Sequence, residues 1–494
     1  MLLILVPLSA ALVVGLLDEG PRRWLIGVVQ GVHLLGCGIA LRSTSSRSLD
    51  EHTRLGDWPR GVAIELGMDN VSAGLLAVTS LLFVATWLWN FTRPETVDLR
   101  PRAPAGALLA LLGACSGAFV ARDLFHLFVW LEVSMVATFA IIAIETGRAG
   151  RSAWLAYLSV NVFSSALFIL GIALVVGRAG TLDFQGIAAS SRATPDDPVW
   201  WFAWSALATA LLIKSSAFPM GAVLGQTYPL LSWPTAALFG GLLTKVGVYG
   251  LLRLSTQVLP GPAAASSDTL VVLACATMLF GVLGAAASSS AARILSYHVV
   301  SQVGYLLLGI ALGGGVAIAA TVFYTLHHMV VKAALFFACG AGEAVVGRST
   351  VGAGPGVLER DRAVALAFAV PALSLAGIPL LSGFWAKFAL IRGTVIAGHW
   401  PALGFCLGVG VLTLYSMVKV WSGLFATGAE PAEPDVTRER SEPQPRPSLW
   451  PAVVLAAVSV WIGLFPRPLW QLSERAAQEL LAPGPRTAVA KTVR

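Results

Sequence analysis

Five ionisable side chains interrupt runs that are otherwise hydrocarbon: Glu132 in HLFVWLEVSMVATFAII, Lys214 in ATALLIKSSAFPMG, Lys245 in FGGLLTKVGVYGLL, Lys332 in HHMVVKAALFFACG and Lys387 in LLSGFWAKFALI. At bilayer depth each such group costs about 2.5–3.5 kcal/mol on insertion scales, so groups of this kind mark ion pathways or proton relays. The chemistry open to them is proton exchange. Histidine titrates near neutral pH, and His327 and His328 stand one turn before Lys332. His328 and Lys332 are four residues apart, as are Tyr324 and His328, which predicts one polar stripe along a helix. Adjacent His327 cannot share that stripe. His298, in SYHVV near Arg293, fits both a hydrogen-bonded histidine at a helix end and a proton-entry group. Lys419, near the end of its apolar run, reads as an interface anchor.

The elements that hold these residues must be membrane helices. With 56% hydrophobic residues, 12% charged and a mean hydropathy of +0.77 over 494 residues, the chain has more apolar content than one soluble core can bury. Its apolar runs are continuous and near twenty residues, unlike the short alternating segments of a barrel. The expected architecture is an all-α polytopic membrane protein of about 14 spans, near residues 2–17, 24–41, 70–91, 105–121, 124–144, 153–177, 200–227, 234–253, 268–288, 294–314, 316–340, 363–391, 402–426 and 449–466. The opening MLLILVPLSAALVVGLL reads as a retained span and not a cleaved signal, because Arg22, Arg23 and another apolar run follow it.

Arginine collects in the loops after odd spans, which predicts that those loops are cytoplasmic and that both termini face outward. The net charge of +7 suits a basic inner face against anionic lipid and requires no nucleic acid. Cys37, Cys115, Cys275, Cys339 and Cys406 all lie in apolar runs without a CxxC pair, as core-packing cysteines do. No phosphate loop, metal-ligand spacing or nucleophile elbow stands out, so neither cofactor nor metal is expected, and the chain does not read as an enzyme. Residues 430–446 are Pro-rich and charged, as expected of a flexible loop.

Two spans are interrupted alike. Ser215, Ser216, Pro219 and Gly221 follow Lys214, while Gly377, Pro379, Ser382 and Gly383 precede Lys387. Proline removes a backbone donor and glycine loosens the helix, and groups so freed are tolerated in mid-membrane only against protein or water. Broken helices in corresponding halves point to the ion path of a transporter.

The ordered motifs FVWLEVSMVATFAI, KSSAFPMG, QTYPLLSWPTA, GGLLTKVGVYGLLRL, RILSYHVVSQVGYLLLGIALG, FYTLHHMVVKAALFFACG, AGIPLLSGFWAKFALI and LYSMVKVWSGLF resemble the antiporter-like subunits of Mrp multisubunit cation/proton antiporters, membrane-bound hydrogenases and respiratory complex I. The resemblance runs from about residue 65 to 425 and is greatest to the D-type subunits of Mrp antiporters. It implies two inverted five-helix repeats, 105–253 and 268–426, each with a broken helix. They are flanked by 1–104 and by a charged loop and helix over 427–494. Residue by residue, it implies that Glu132 and Lys214 form an ion pair, that Lys245 is a central relay lysine and that Lys332 with the histidines continues the relay. Lys387 would be the terminal exchange group.

By the same resemblance the chain would move protons against a monovalent cation, sodium foremost, among other integral-membrane subunits of a prokaryotic cell membrane. The rival reading is a proton-pumping subunit of a redox-driven complex I-like or hydrogenase assembly, and a third is a scaffold that has lost transport. Two stretches depart from the family pattern. Gly221-Ala222-Val223-Leu224-Gly225 replaces a histidine and a Trp-Leu-Pro stretch, and Ser290, Ala291 and Ala292 replace charged residues before RILSY.

Overall fold

The computed structural model describes residues 1–46, 51–55, 64–91, 104–352, 354, 356–426 and 447–482. The 430–446 loop lies outside them. Helices form at all fourteen apolar runs. They are α1 (Leu2–Val13), α2 (Glu19–Ser46), α3 (Asn70–Phe91), α4 (Ala105–Val120), α5 (Leu124–Thr146) and α6 (Arg151–Ala179). A short α7 (Phe184–Ala193) follows, then α8 (Pro198–Lys214), α9 (Gly221–Thr227) and α10 (Trp233–Arg253). After α11 (Pro260–Ala265) come α12 (Ser267–Ala287), α13 (Ala291–Leu312) and α14 (Gly314–Val346). The chain continues through α15 (Val357–Arg360), α16 (Arg362–Ala376), α17 (Ser382–Ile396), α18 (Trp400–Val420), α19 (Trp450–Leu464) and α20 (Arg467–Leu481).

Among the described residues, nine helices are long and apolar enough to cross a membrane, or ten if α19 and α20, bent by 80°, form one span. That is fewer than the fourteen runs in the sequence. The two interrupted runs divide into half-helices, and α1 and α4 are 12 and 16 residues long. Hydropathy alone does not reveal α7, α11, α20 or a two-stranded hairpin in which β1 (Glu51–Leu55) pairs antiparallel with β2 (Ile64–Met68).

Burial sorts the helices. The best spanning windows of α10 and α13 are 94% buried and that of α14 is 78%, whereas those of α2, α6 and α18 are 28–33% buried. The central three therefore form a protein core, and the others turn apolar surface toward lipid, where it costs nothing to expose. α10 packs on α3, α8, α13 and α14, and α14 also packs on α16, α17, α19 and α20.

Contacts between helix ends fix which loops share a face. After even-numbered runs, Asp123 bridges Asp183, the Arg122 amide donates to the Glu65 carbonyl, and Asp69 pairs with Arg122 at 3.0 Å and Arg253 at 2.6 Å. After odd runs, Ser290 bridges Thr350, and Lys419 donates to the carbonyls of Ala286 and Ser288 at 2.9 and 2.8 Å. Lys419 thus caps the end of α12, where a cation satisfies orphan carbonyls.

Candidate functional site

The first break begins where α8 ends at Lys214. Ser216 takes a left-handed φ of 59°, a strained setting for a residue with a side chain, and the chain re-enters helix at Gly221 after Pro219. The freed backbone finds partners: the amides of Ser216 and Ala217 reach the carbonyls of Ile213 and Leu212, and the Phe218 amide donates to Thr277 of α12. Lys214 Nζ lies 3.2 Å from Glu132 Oε1 on α5. Ser165 of α6 completes the group, donating to the same carboxylate oxygen at 2.5 Å and lying 3.4 Å from Lys214 Nζ.

α10 lies directly on this break. A Cβ at Gly247 would sit 2.6 Å from Ser215 Oγ and 2.8 Å from its backbone nitrogen, so only glycine permits the approach. Between the two elements is a cavity of about 30 Å³, lined by Lys214, Ser134, Thr138, Asn161 and, on α10, Val246 and Gly247. That is room for a water with polar partners. Two residues before Gly247 on α10, buried Lys245 donates to the Gly240 carbonyl at 2.6 Å.

From Lys245 the polar groups continue through the core. α14, packed on α10, carries His328 and Lys332 four residues apart, both fully buried like Lys245. Lys332 Nζ donates to the Leu295 carbonyl of α13 at 3.0 Å. His298, three residues further along α13, is fully buried. Both ring nitrogens of His298 and of His328 are buried without a hydrogen-bond partner among the described residues, as is Gln302 Nε2. Buried polar nitrogens of this kind are served by ordered water. His298 lies two turns inside α13, neither at a helix end nor open to solvent.

Tyr324 hydrogen-bonds Gln302 and stacks on Tyr305 at 5.5 Å. The Tyr305 ring in turn lies 5.7 Å from Lys387 Nζ. Lys387 is buried. Its ammonium reaches back across the second break to the Ala376 carbonyl at 3.0 Å, the last carbonyl of α16. Each break therefore brings an ammonium to the C-terminal end of its first half-helix, where the dipole favours positive charge, although the two lysines lie on opposite sides of their breaks in sequence. Gly377 (φ 93°) and Leu380 (φ 70°) turn the second break around Pro379. Gly383, just inside α17, would put a Cβ 1.7 Å from the Ser374 carbonyl.

His327 leaves the file, as adjacent positions on one helix must. Its Nδ1 lies 2.8 Å from Ser382 Oγ, in a knot of hydroxyls with Ser374 and Ser459. Sequence reasoning missed Ser165, Gln302, Tyr305 and this knot. Gln302 and Tyr305 stand four and seven residues after His298, a helical spacing that could have flagged them. A serine pair in α6 carries no comparable signal.

Residues 121–413 match the family described as "NADH:quinone oxidoreductase/Mrp antiporter, TM". The chain belongs to that family. It is 36% identical over 433 residues, covering 87% of this chain and 86% of the relative, to the D subunit of a Na(+)/H(+) antiporter of Alkalihalophilus pseudofirmus. It superposes on a chain of the Mrp complex from Dietzia sp. with a TM-score of 0.88 at 31% identity, over 98% of this chain and 97% of that one. A chain of respiratory complex I from Thermus thermophilus shares the fold, with a TM-score of 0.81 at 20% identity over 98% and 100%.

The departures from the family pattern now have a location. Gly221 and Gly225 set α9 against Val300 and Tyr297 of α13, where Cβ atoms would come within 2.5 and 2.6 Å. The two glycines thus serve close packing of α9 on α13. Ala291 anchors α13 through its amide, which bonds the Ser349 carbonyl, and Ala291 and Ala292 are buried.

Proposed function

We propose that the chain is the proton-translocating, D-type member of a multisubunit Na+/H+ antiporter in a prokaryotic cell membrane. It would cross fourteen times, as two inverted five-helix halves with flanking helices, with the odd loops cytoplasmic and both termini outside. The observation that carries this reading is the buried file Glu132–Lys214, Lys245, His328–Lys332 and Lys387, running from the lateral face of α5 through the core to α17. His298 and Tyr324 line it, with His327 as a side branch.

Physics supports a relay in such a file. Carrying one charge through 100 mV is worth about 2.3 kcal/mol, which fewer than two pK units of coupling can match. Titrations of neighbouring groups are interdependent, so proton occupancy at one site alters the next. The cavity beside Lys214, with Ser134, Thr138 and Asn161 in its wall, has room for a bridging water. Glu132 remains 24% exposed on the lateral face. Hydrocarbon would leave that carboxylate unsolvated, which favours a neighbouring membrane subunit over α5 and α6.

The test uses the whole complex in everted vesicles of a host lacking its own sodium antiporters. Added NaCl should collapse a respiration-driven pH gradient, and Glu132→Gln, Lys214→Ala or Lys245→Ala should slow this roughly hundredfold with assembly intact. Wild-type rates in all three assembled variants would overturn the reading. Proton pumping that follows a redox reaction and ignores sodium would point instead to the redox-driven class.

A further inference from the structure

Ser165 is the one hydroxyl, among the described residues, that touches both members of the Glu132–Lys214 pair, and its geometry gives it more than a packing role. The residue is 8% exposed, on the face of α6 turned toward α5 and α8. Its Oγ lies 2.5 Å from Glu132 Oε1, 3.0 Å from the carbonyl of Asn161 and 3.4 Å from Lys214 Nζ. A serine hydroxyl holds a single proton and two acceptor lone pairs. It can accept from the Lys214 ammonium, but it can donate to only one of the two oxygens at a time.

We propose that Ser165 is a two-position donor that positions the Glu132–Lys214 pair and registers its protonation. With Glu132 ionised, the Ser165 proton points at the carboxylate, and the hydroxyl oxygen accepts from Lys214. When a proton reaches Glu132, the new carboxyl O–H donates to Ser165 Oγ. The serine proton then turns to the Asn161 carbonyl, the usual back-bond of a helical serine. Every proton stays on its atom through this rotation; only donor directions change. In the second setting Lys214 loses the charge of its partner and keeps only the second lone pair of the serine oxygen. Lys214 is then free to turn toward the cavity it already lines with Asn161 and Gly247.

This inference rests on the transport reading above, and the experiment separates the two. Ser165→Ala, Ser165→Thr, Glu132→Gln and the double variant Ser165→Ala/Glu132→Gln are made in the whole complex. Assembly is checked on native gels, and sodium-driven proton movement is followed in everted vesicles from about pH 6.5 to 9.5. Ser165→Ala should cut the rate about tenfold, the scale of one hydrogen bond to a charged group, and displace the pH profile. Ser165→Thr, which keeps the hydroxyl, should restore both.

Added to Glu132→Gln, Ser165→Ala should cost nothing further, because the serine acts through that carboxylate. A rate loss with an unmoved pH profile, or a loss that multiplies in the double variant, would mean that Ser165 only packs, and the proposal fails. If Glu132→Gln alone transports normally, the proposal fails; if Lys214→Ala and Lys245→Ala do so as well, the transport reading falls with it.

Discussion

The buried ionisable groups of the file and of its flanks differ in the kind of partner they have found, and the partner separates mobile groups from fixed ones. Lys245, Lys332 and Lys387 donate to backbone carbonyls, which hold an ammonium without neutralising it. Asp123, by contrast, sits at the N-cap of α5 and accepts from the His126 amide at 2.6 Å. Burial pushes its carboxyl up to about 6 from 3.8, the backbone amides of His126 and Glu65 pull the other way, and the Glu65 and Asp183 carboxylates add to the rise. A carboxyl that holds its proton more tightly when folded favours the fold fully below about pH 4, and that contribution is lost as pH rises through about 6. Asp123→Asn keeps a cap acceptor and removes the titration. Thermal unfolding of the solubilised complex should show the variant more stable near pH 8, by up to about 3 kcal/mol, and unchanged near pH 4. Equal midpoints at the higher pH would refute the assignment.

At the scale of elements, the broken helices matter through what presses on them. α10 carries Lys245 and closes on the Lys214 break through Gly247, where the atoms met are largely backbone and cannot swing aside. Gly247→Ala should force α10 away from α8, at a cost of about 1–3 kcal/mol from overpacking. The expected outcome is a complex that assembles in reduced yield and, once assembled, moves protons more slowly with every relay residue still present. Unchanged yield and rate would show that the close approach is unnecessary.

Over the whole molecule, one buried ion-pair clamp ties the N-terminal helices to the relay. Asp69, at the start of α3, pairs with Arg122 between α4 and α5 and with Arg253 at the end of α10, and Asn70 beside it bonds Glu479 of α20. Burial opposes ionisation of Asp69, but Arg122 and Arg253 together hold its carboxyl well below the usual range, so the clamp stays charged at any working pH. Asp69→Asn would leave two buried guanidinium groups short of a counter-charge. A loss of about 3–5 kcal/mol follows, read as a sharp fall in the amount of protein that detergent extracts. Normal extraction together with an unshifted melting midpoint would remove the clamp from the account of stability.

What the sequence determined by itself is the chemistry and the class. Continuous apolar runs can exist only as membrane helices, and Glu132, Lys214, Lys245, Lys332 and Lys387 stood out because a charge among hydrocarbon is costly wherever the helix lies. The two breaks were legible in Pro219 and Pro379 for the same local reason. Neighbours across helices were not legible, because apolar residues facing lipid and apolar residues facing protein look alike in a sequence. Only the tertiary structure could place α10, α13 and α14 inside and α2, α6 and α18 outside, turn His327 to Ser382 and bring Ser165 to Glu132. It also returned Lys387 to the carbonyl of Ala376, because a long, flexible side chain can cross a break that the linear order of residues presents as a separation.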